Sequence, residues 1–240
     1  MKYSIKVNLV RPTKEDANVK GFATVVFGES FKISNIAIIE NRDKEQLFVS
    51  MPRYRTNEVD ERGMTVFKDV CHPITADFRA ELYDAILDEF ERVRDHIPSQ
   101  KGKVLECEEP EFSVSVTPFE REGSNIRGFA RIYFGECFVV NNVDIIQGRE
   151  KLFISMPSFR TGRRDRYGKD IYQDVCHPVT KDFREKLYTA IEKAYEEAKE
   201  LAQMPEAERE GGQMQETGRA VQPDMDDGFM KVSGEPLPFR

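Results

Sequence analysis

The sequence predicts an α+β protein: two tandem copies of a small antiparallel β-sheet, each with one C-terminal amphipathic helix, followed by a disordered acidic tail. Three observations predict it. A block of motifs recurs at a nearly constant spacing, each copy runs through alternating and then helical hydrophobic patterns in the same order, and residues 204–240 are poor in core-forming residues.

The repeat is the firmest of these. Met51-Pro52 recurs as Met156-Pro157, and Asp69-Val70-Cys71-His72-Pro73 as Asp174-Val175-Cys176-His177-Pro178, both at an offset of 105. Across residues 69–86 and their partners, 13 of 18 residues are identical. Upstream the offset is 107, pairing Gly21-Phe22-Ala23 with Gly128-Phe129-Ala130 and Phe27-Gly28-Glu29 with Phe134-Gly135-Glu136. The difference falls between Glu40 and Leu47, a stretch two residues longer than Gln147 to Leu152. Turns absorb such insertions and strands do not. The chain therefore divides into repeat 1 (1–97), a linker (98–110), repeat 2 (111–203) and a tail (204–240).

Within each copy the elements follow in order. Tyr3, Ile5, Val7 and Leu9 alternate with polar residues, the period of a half-buried strand, and Phe112, Val114 and Val116 repeat the pattern. Phe22–Phe27 and Phe31–Ile33 flank Gly28-Glu29-Ser30, a hairpin signal. Ile36–Ile39 and Leu47–Met51 supply further strands, and Pro52 stops the second. A loop is expected from there to the Asp-Val-Cys-His-Pro segment, whose proline disfavours helix before it. Thr75 and Thr180 then cap helices, with Asp77 and Asp182 in the first turns. Phe78, Leu82, Ala85, Ile86 and Phe90 recur at helical spacing, as do Phe183, Leu187, Ala190, Ile191 and Ala194.

These motifs resemble the bacterial SpoVG (stage V sporulation protein G) family. The resemblance rests on Leu47-Phe48-Val49-Ser50-Met51-Pro52, Arg55-Thr56 and Asp69 to Pro73, and again on Leu152-Phe153-Ile154-Ser155-Met156-Pro157, Arg160-Thr161 and Asp174 to Pro178. It implies a small sheet-plus-helix domain that dimerises and binds selected sites on DNA or RNA in regulation. Because two copies are fused here, the family dimer is expected to form within one chain as a pseudo-dimer, with further oligomerisation open.

Composition narrows the function. No apolar run approaches the roughly 20 residues of a spanning helix, and no signal-peptide core follows Met1, so a cytoplasmic protein without a membrane partner is expected. The four cysteines include no CxxC pair, and an adjacent Cys-His chelates one zinc poorly; buried thiols are expected, with no metal and no cofactor. There is no P-loop, dinucleotide-binding glycine motif or HExxH, and no activated nucleophile accompanies His72 or His177. An enzyme is not expected. Each of those histidines precedes proline at a helix entrance and is expected to serve the turn by hydrogen bonding, and His96 to complement the helix dipole.

A net charge of −7 argues against nucleic acid until its distribution is considered. The tail holds 8 acidic and 4 basic residues, while repeat 2 has 15 of each sign. The loop after Met156-Pro157 is basic: between 158 and 173 there are five basic and two acidic side chains. Arg160, Arg163, Arg164, Arg166 and Lys169 would neutralise phosphates, and Phe159 or Tyr167 would stack on unpaired bases. The matching loop offers Arg53, Tyr54, Arg55 and Arg62 but nets only +1 over 53–68. A solvated loop with no specific task is the competing reading.

The tail carries Asp224, Asp226 and Asp227 before Phe229, and ends Leu237-Pro238-Phe239-Arg240. It resembles the C-terminal tip of bacterial single-stranded DNA-binding proteins, which docks an aromatic side chain and a terminal carboxylate on replication and repair proteins; here Arg240 follows the phenylalanine. The leading expectation is a single-stranded DNA-binding protein whose tail recruits such a partner, with RNA or duplex DNA possible ligands. The alternative is a regulator of transcription, septation or sporulation, and a third class is an interaction protein without nucleic-acid affinity.

Overall fold

The computed structural model describes residues 1–10, 18–41, 44, 46–96 and 108–203; most of the linker and all of the tail lie outside them. Repeat 1 contains β1 (Tyr3–Leu9), β2 (Val19–Phe27), β3 (Phe31–Asn41), β4 (Gln46–Ser50), β5 (Arg53–Val59), β6 (Thr65–Asp69), β7 (Cys71–Pro73) and α1 (Ala76–Arg94). Repeat 2 contains β8 (Phe112–Pro118), β9 (Ile126–Phe134), β10 (Phe138–Gln147), β11 (Leu152–Ser155), β12 (Ser158–Arg164), β13 (Asp170–Asp174), β14 (Cys176–Pro178) and α2 (Lys181–Gln203).

Each repeat builds an antiparallel sheet with one face under its helix. Tyr3, Ile5 and Val7 point toward α1, and their polar neighbours toward solvent. The Thr75 hydroxyl accepts from Phe78 N at 3.4 Å and the Thr180 hydroxyl from Phe183 N at 3.3 Å, so both helices start where their caps predict. Phe78, Leu82, Ile86 and Phe90 form the buried stripe of α1. In α2 the stripe is Phe183, Leu187, Ile191 and Tyr195. Tyr195 takes the place expected of Ala194, because a step of four from Ile191 keeps the side chain over the sheet. Gly21 makes the fit possible in repeat 1, since a Cβ there would lie 3.0 Å from the Asn8 carbonyl oxygen and 3.2 Å from the Phe90 ring.

Three expectations need correction. Phe31–Ile33 and Ile36–Ile39 are not separate strands; they join in the 11-residue β3. Asn35 sits at φ 61° between them, so the extra residue bulges and the strand continues; Asn142 does the same in β10 at φ 57°. The loops after Pro52 and Pro157 are instead two-stranded ribbons, β5–β6 and β12–β13. Both faces of each ribbon are polar enough to hide the strand alternation. The Cys-His-Pro segments, expected only to be non-helical, are short strands, and each one joins the sheet of the other repeat.

That exchange is reciprocal. Cys71, His72 and Pro73 pair with Val140, Val139 and Phe138; Cys176, His177 and Pro178 pair with Ile33, Lys32 and Phe31. Flanking bonds of 2.8 Å extend each junction, from Ser34 N to the Val175 carbonyl and from Asn141 N to the Val70 carbonyl. The resulting sheets run β1-β2-β3-β14 and β11-β10-β9-β8, with β4 also on β3 and β7 also on β10. Between them lies one core. Ring centroids of Phe31 and Phe134 are 4.7 Å apart, and those of Phe27 and Phe138 5.1 Å. Cys71 and Cys176 are free and fully buried there, and burial pushes both thiols up, away from the reactive thiolate.

Candidate nucleic-acid interface

Ribbon β12–β13 places Ser158 opposite Asp174, Phe159 opposite Gln173, Arg160 opposite Tyr172 and Arg164 opposite Asp170. Its tip is a turn over Asp165–Gly168, closed by Gly168 N donating to the Asp165 carbonyl at 3.0 Å, with Gly168 at φ 78°. The Asp165 carboxylate accepts from Tyr167 N and Lys169 N at 2.8 and 2.9 Å, so this acid is engaged by backbone. The turn leaves Arg166 and Tyr167 at the outermost point. The Arg166 guanidinium lies 4.7 Å from the Tyr167 ring centroid, and Tyr167 is 72% exposed.

The other cations differ in freedom. Arg160 pairs with Asp170 at 2.9 Å and Arg164 with the same carboxylate at 3.5 Å. Arg163, Arg164, Arg166 and Lys169 are exposed, whereas Phe159 is half-buried and presents less ring than Tyr167. The ribbon thus brings four of its five cations and one aromatic ring to its solvent side.

Ribbon β5–β6 has the same construction and a different chemistry. Asp60 accepts from Arg62 N and Met64 N at 2.9 and 2.8 Å, reproducing the turn. Arg55 and Arg62 are exposed, Tyr54 is half-buried, and the Arg53 guanidinium lies 5.3 Å from the Phe67 ring centroid. Where repeat 2 has Arg163, Arg164, Arg166 and Lys169, repeat 1 has Glu58, Val59, Glu61 and Met64. Glu58 holds Lys68 at 3.1 Å.

The histidines do not serve the turns. At these helix entrances Arg79 donates to the Pro73 carbonyl at 3.0 Å and Arg184 to the Pro178 carbonyl at 3.2 Å. Nδ1 of His72 and of His177 is buried without a hydrogen-bond partner. Burial holds both imidazoles below the usual histidine range, against the pull of Asp69 and Asp174. Among the described residues no group of His, Cys, Asp and Glu is arranged to hold a metal ion, and no helix is long and apolar enough to cross a membrane.

Three exposed phenylalanines were not among the site residues expected from the sequence. Phe22, Phe48 and Phe153 are 37%, 44% and 48% exposed on the sheet faces that the helices leave uncovered. The signal was available, because Phe22 alternates in phase with Lys20 and Thr24. The tail residues Asp224, Asp226, Asp227, Phe229, Leu237, Pro238 and Phe239 lie outside the described residues.

The family model described as SpoVG matches residues 2–92 and again 111–197. A protein of Treponema denticola called putative septation protein SpoVG is 35% identical over 74 residues, covering 31% of this chain and 73% of its own. Its namesake in Thermoanaerobacter sp. is 37% identical over 87 residues, covering 36% and 87%. That of Borreliella burgdorferi is 37% identical over 76 residues, covering 32% and 72%. Each relative spans one repeat's worth of this chain.

Proposed function

The chain belongs to the SpoVG family and carries that family's domain twice, and from this premise we propose that it is a non-enzymatic nucleic-acid-binding protein whose two repeats act as an intramolecular pair. The observation that carries the reading is the tip of ribbon β12–β13. There Arg166 lies over the 72% exposed Tyr167, with Arg163, Arg164 and Lys169 beside them. Phosphates release counterions on meeting such cations, and an exposed tyrosine offers a face to an unpaired base. The excess negative charge does not oppose this, because 4 of the 7 excess acids fall in residues 204–240. Single-stranded DNA is the favoured ligand, and the tail with Phe229 and Phe239 is the favoured docking segment for a replication or repair protein.

A second reading has its own support. The relatives are called putative septation proteins, a name compatible with the alternative, a regulator of transcription, septation or sporulation that binds selected sites on DNA or RNA. Fluorescence-anisotropy titrations with single- and double-stranded oligonucleotides at several salt concentrations separate the two. Tighter binding of single strands supports the first, and tighter binding of particular duplexes the second. Absence of binding to either at low salt would remove both.

A further inference from the structure

The helix-free face of the repeat 1 sheet carries an exposed aromatic pair, Phe22 and Phe48, to which the ribbon gives no role. Phe22 on β2 stands opposite Ala37 of β3, which stands opposite Ser50 of β4; Phe48 of β4 stands opposite Ile39 of β3. The two phenylalanines therefore flank the central strand on one face, about 12 Å apart, two strand spacings across and two residues along. That separation lets each ring carry its own base. Alternation keeps them off the helix side, where Gly21 touches Phe90.

Charge selects the occupant. Among β1 to β4 the one carboxylate is Glu40, ion-paired with Lys20 at 2.7 Å. Lys6 and Lys32 share the face of Phe22, Lys6 through Thr24 and Lys32 through Val26. A face whose strands carry cations and open aromatic rings, and whose one carboxylate is already paired, is suited to an anionic ligand with flat apolar surfaces. The equivalent face of repeat 2 has the same aromatic frame, Phe129 and Phe153, but Asp144 replaces Ala37 between Phe129 and Ser155. A carboxylate there repels phosphate.

The strand exchange ties this face to the basic ribbon. Strand β13 runs through Val175 into β14, and β14 pairs with β3 so that His177 lies opposite Lys32. The ribbon of repeat 2 is thus rooted in the sheet of repeat 1. We infer that Phe22 and Phe48 form a base-stacking platform for single-stranded nucleic acid, continuous through Lys32 with the phosphate-binding ribbon. This deepens the nucleic-acid reading and rests on it.

Anisotropy titration of the full chain with a labelled oligothymidylate and with a duplex of equal length tests it. Phe22→Leu/Phe48→Leu keeps the apolar volume and removes the π-face; it should lose roughly tenfold or more in single-strand affinity and leave duplex binding unchanged. Phe22→Tyr/Phe48→Tyr should retain binding, and Asp144→Ala should strengthen it. Strands carrying 5-bromodeoxyuridine should photocrosslink to peptides containing Phe22 or Phe48. If the leucine pair binds single strands like the natural chain while Arg163→Ala/Arg166→Ala weakens them, the platform is refuted and the ribbon reading survives. Equal loss toward single strand and duplex, or crosslinks confined to other peptides, would also refute it. No binding by the natural chain would end both proposals.

Discussion

Phe27 and Phe134 occupy equivalent positions in the two repeats, and their ring centroids lie 5.7 Å apart in one fully buried core. Neither repeat closes that core by itself, since each also receives a strand from the other. The two halves of the chain are consequently one folding unit in the energetic sense.

Chemical denaturation should therefore show a single transition, followed equally by helix content and by tyrosine fluorescence. Phe134→Ala should lower stability by about 3–5 kcal/mol, the usual effect of emptying a large buried aromatic site, while keeping one transition. Two separate transitions, in either the natural chain or the variant, would contradict the shared core.

Asp144 predicts a pH dependence. Burial raises its carboxyl from the ordinary 3.8 to about 6 in the folded chain. The folded state thus holds the proton more tightly than the unfolded state. Its stabilising effect is fully present below 3.8, is lost as pH rises to about 6, and stays lost above. Asp144→Ala, which copies Ala37 of repeat 1, should stabilise the chain by about 2 kcal/mol at pH 7, since each tenfold change in proton affinity is worth about 1.4 kcal/mol and part of the carboxyl remains hydrated. The advantage should shrink toward pH 4. Thermal unfolding at both values checks this; a variant less stable at pH 7 would show that Asp144 has a partner that holds it charged.

The helices and their caps were legible because they are local. Thr75 and the steps from Phe78 to Phe90 lie within a few turns of one another, and a period of 3.6 residues cannot be mistaken over that length. The exchange of Cys71–Pro73 onto β10 was not legible. Three residues carry no period, and their partners, Phe138 to Val140, are distant in sequence. The ribbons were hidden for another reason: Arg160-Thr161-Gly162-Arg163-Arg164 has no apolar face to betray a strand. The basic character of ribbon β12–β13 was readable from charge alone. Which of its arginines Asp170 restrains required the fold, because Arg160, Arg164 and Asp170 meet only across the ribbon.

Deleting residues 224–240 removes three aspartates, one glutamate and both phenylalanines. Affinity for single strands should hold or rise slightly, since an acidic segment competes with phosphate for the same arginines. Capture of a replication or repair protein should disappear, and Phe239→Ala should reproduce most of that loss. Recovery of the same partners with and without the segment, in a pull-down from cell extract, would leave it only a solvating role.

The central claim is that ribbon β12–β13 is the phosphate contact, and the salt dependence of binding tests it most directly. Arg160, Arg163, Arg164 and Arg166 replaced by alanine should weaken single-strand binding and flatten the slope of log affinity against log salt, by about 0.7 for each phosphate no longer neutralised. Most of that loss should already appear in Arg163→Ala/Arg166→Ala, because Asp170 holds Arg160 and Arg164. The matching changes at Arg53, Arg55 and Arg62 should do less. Equal slopes and equal losses from the two ribbons would contradict the account.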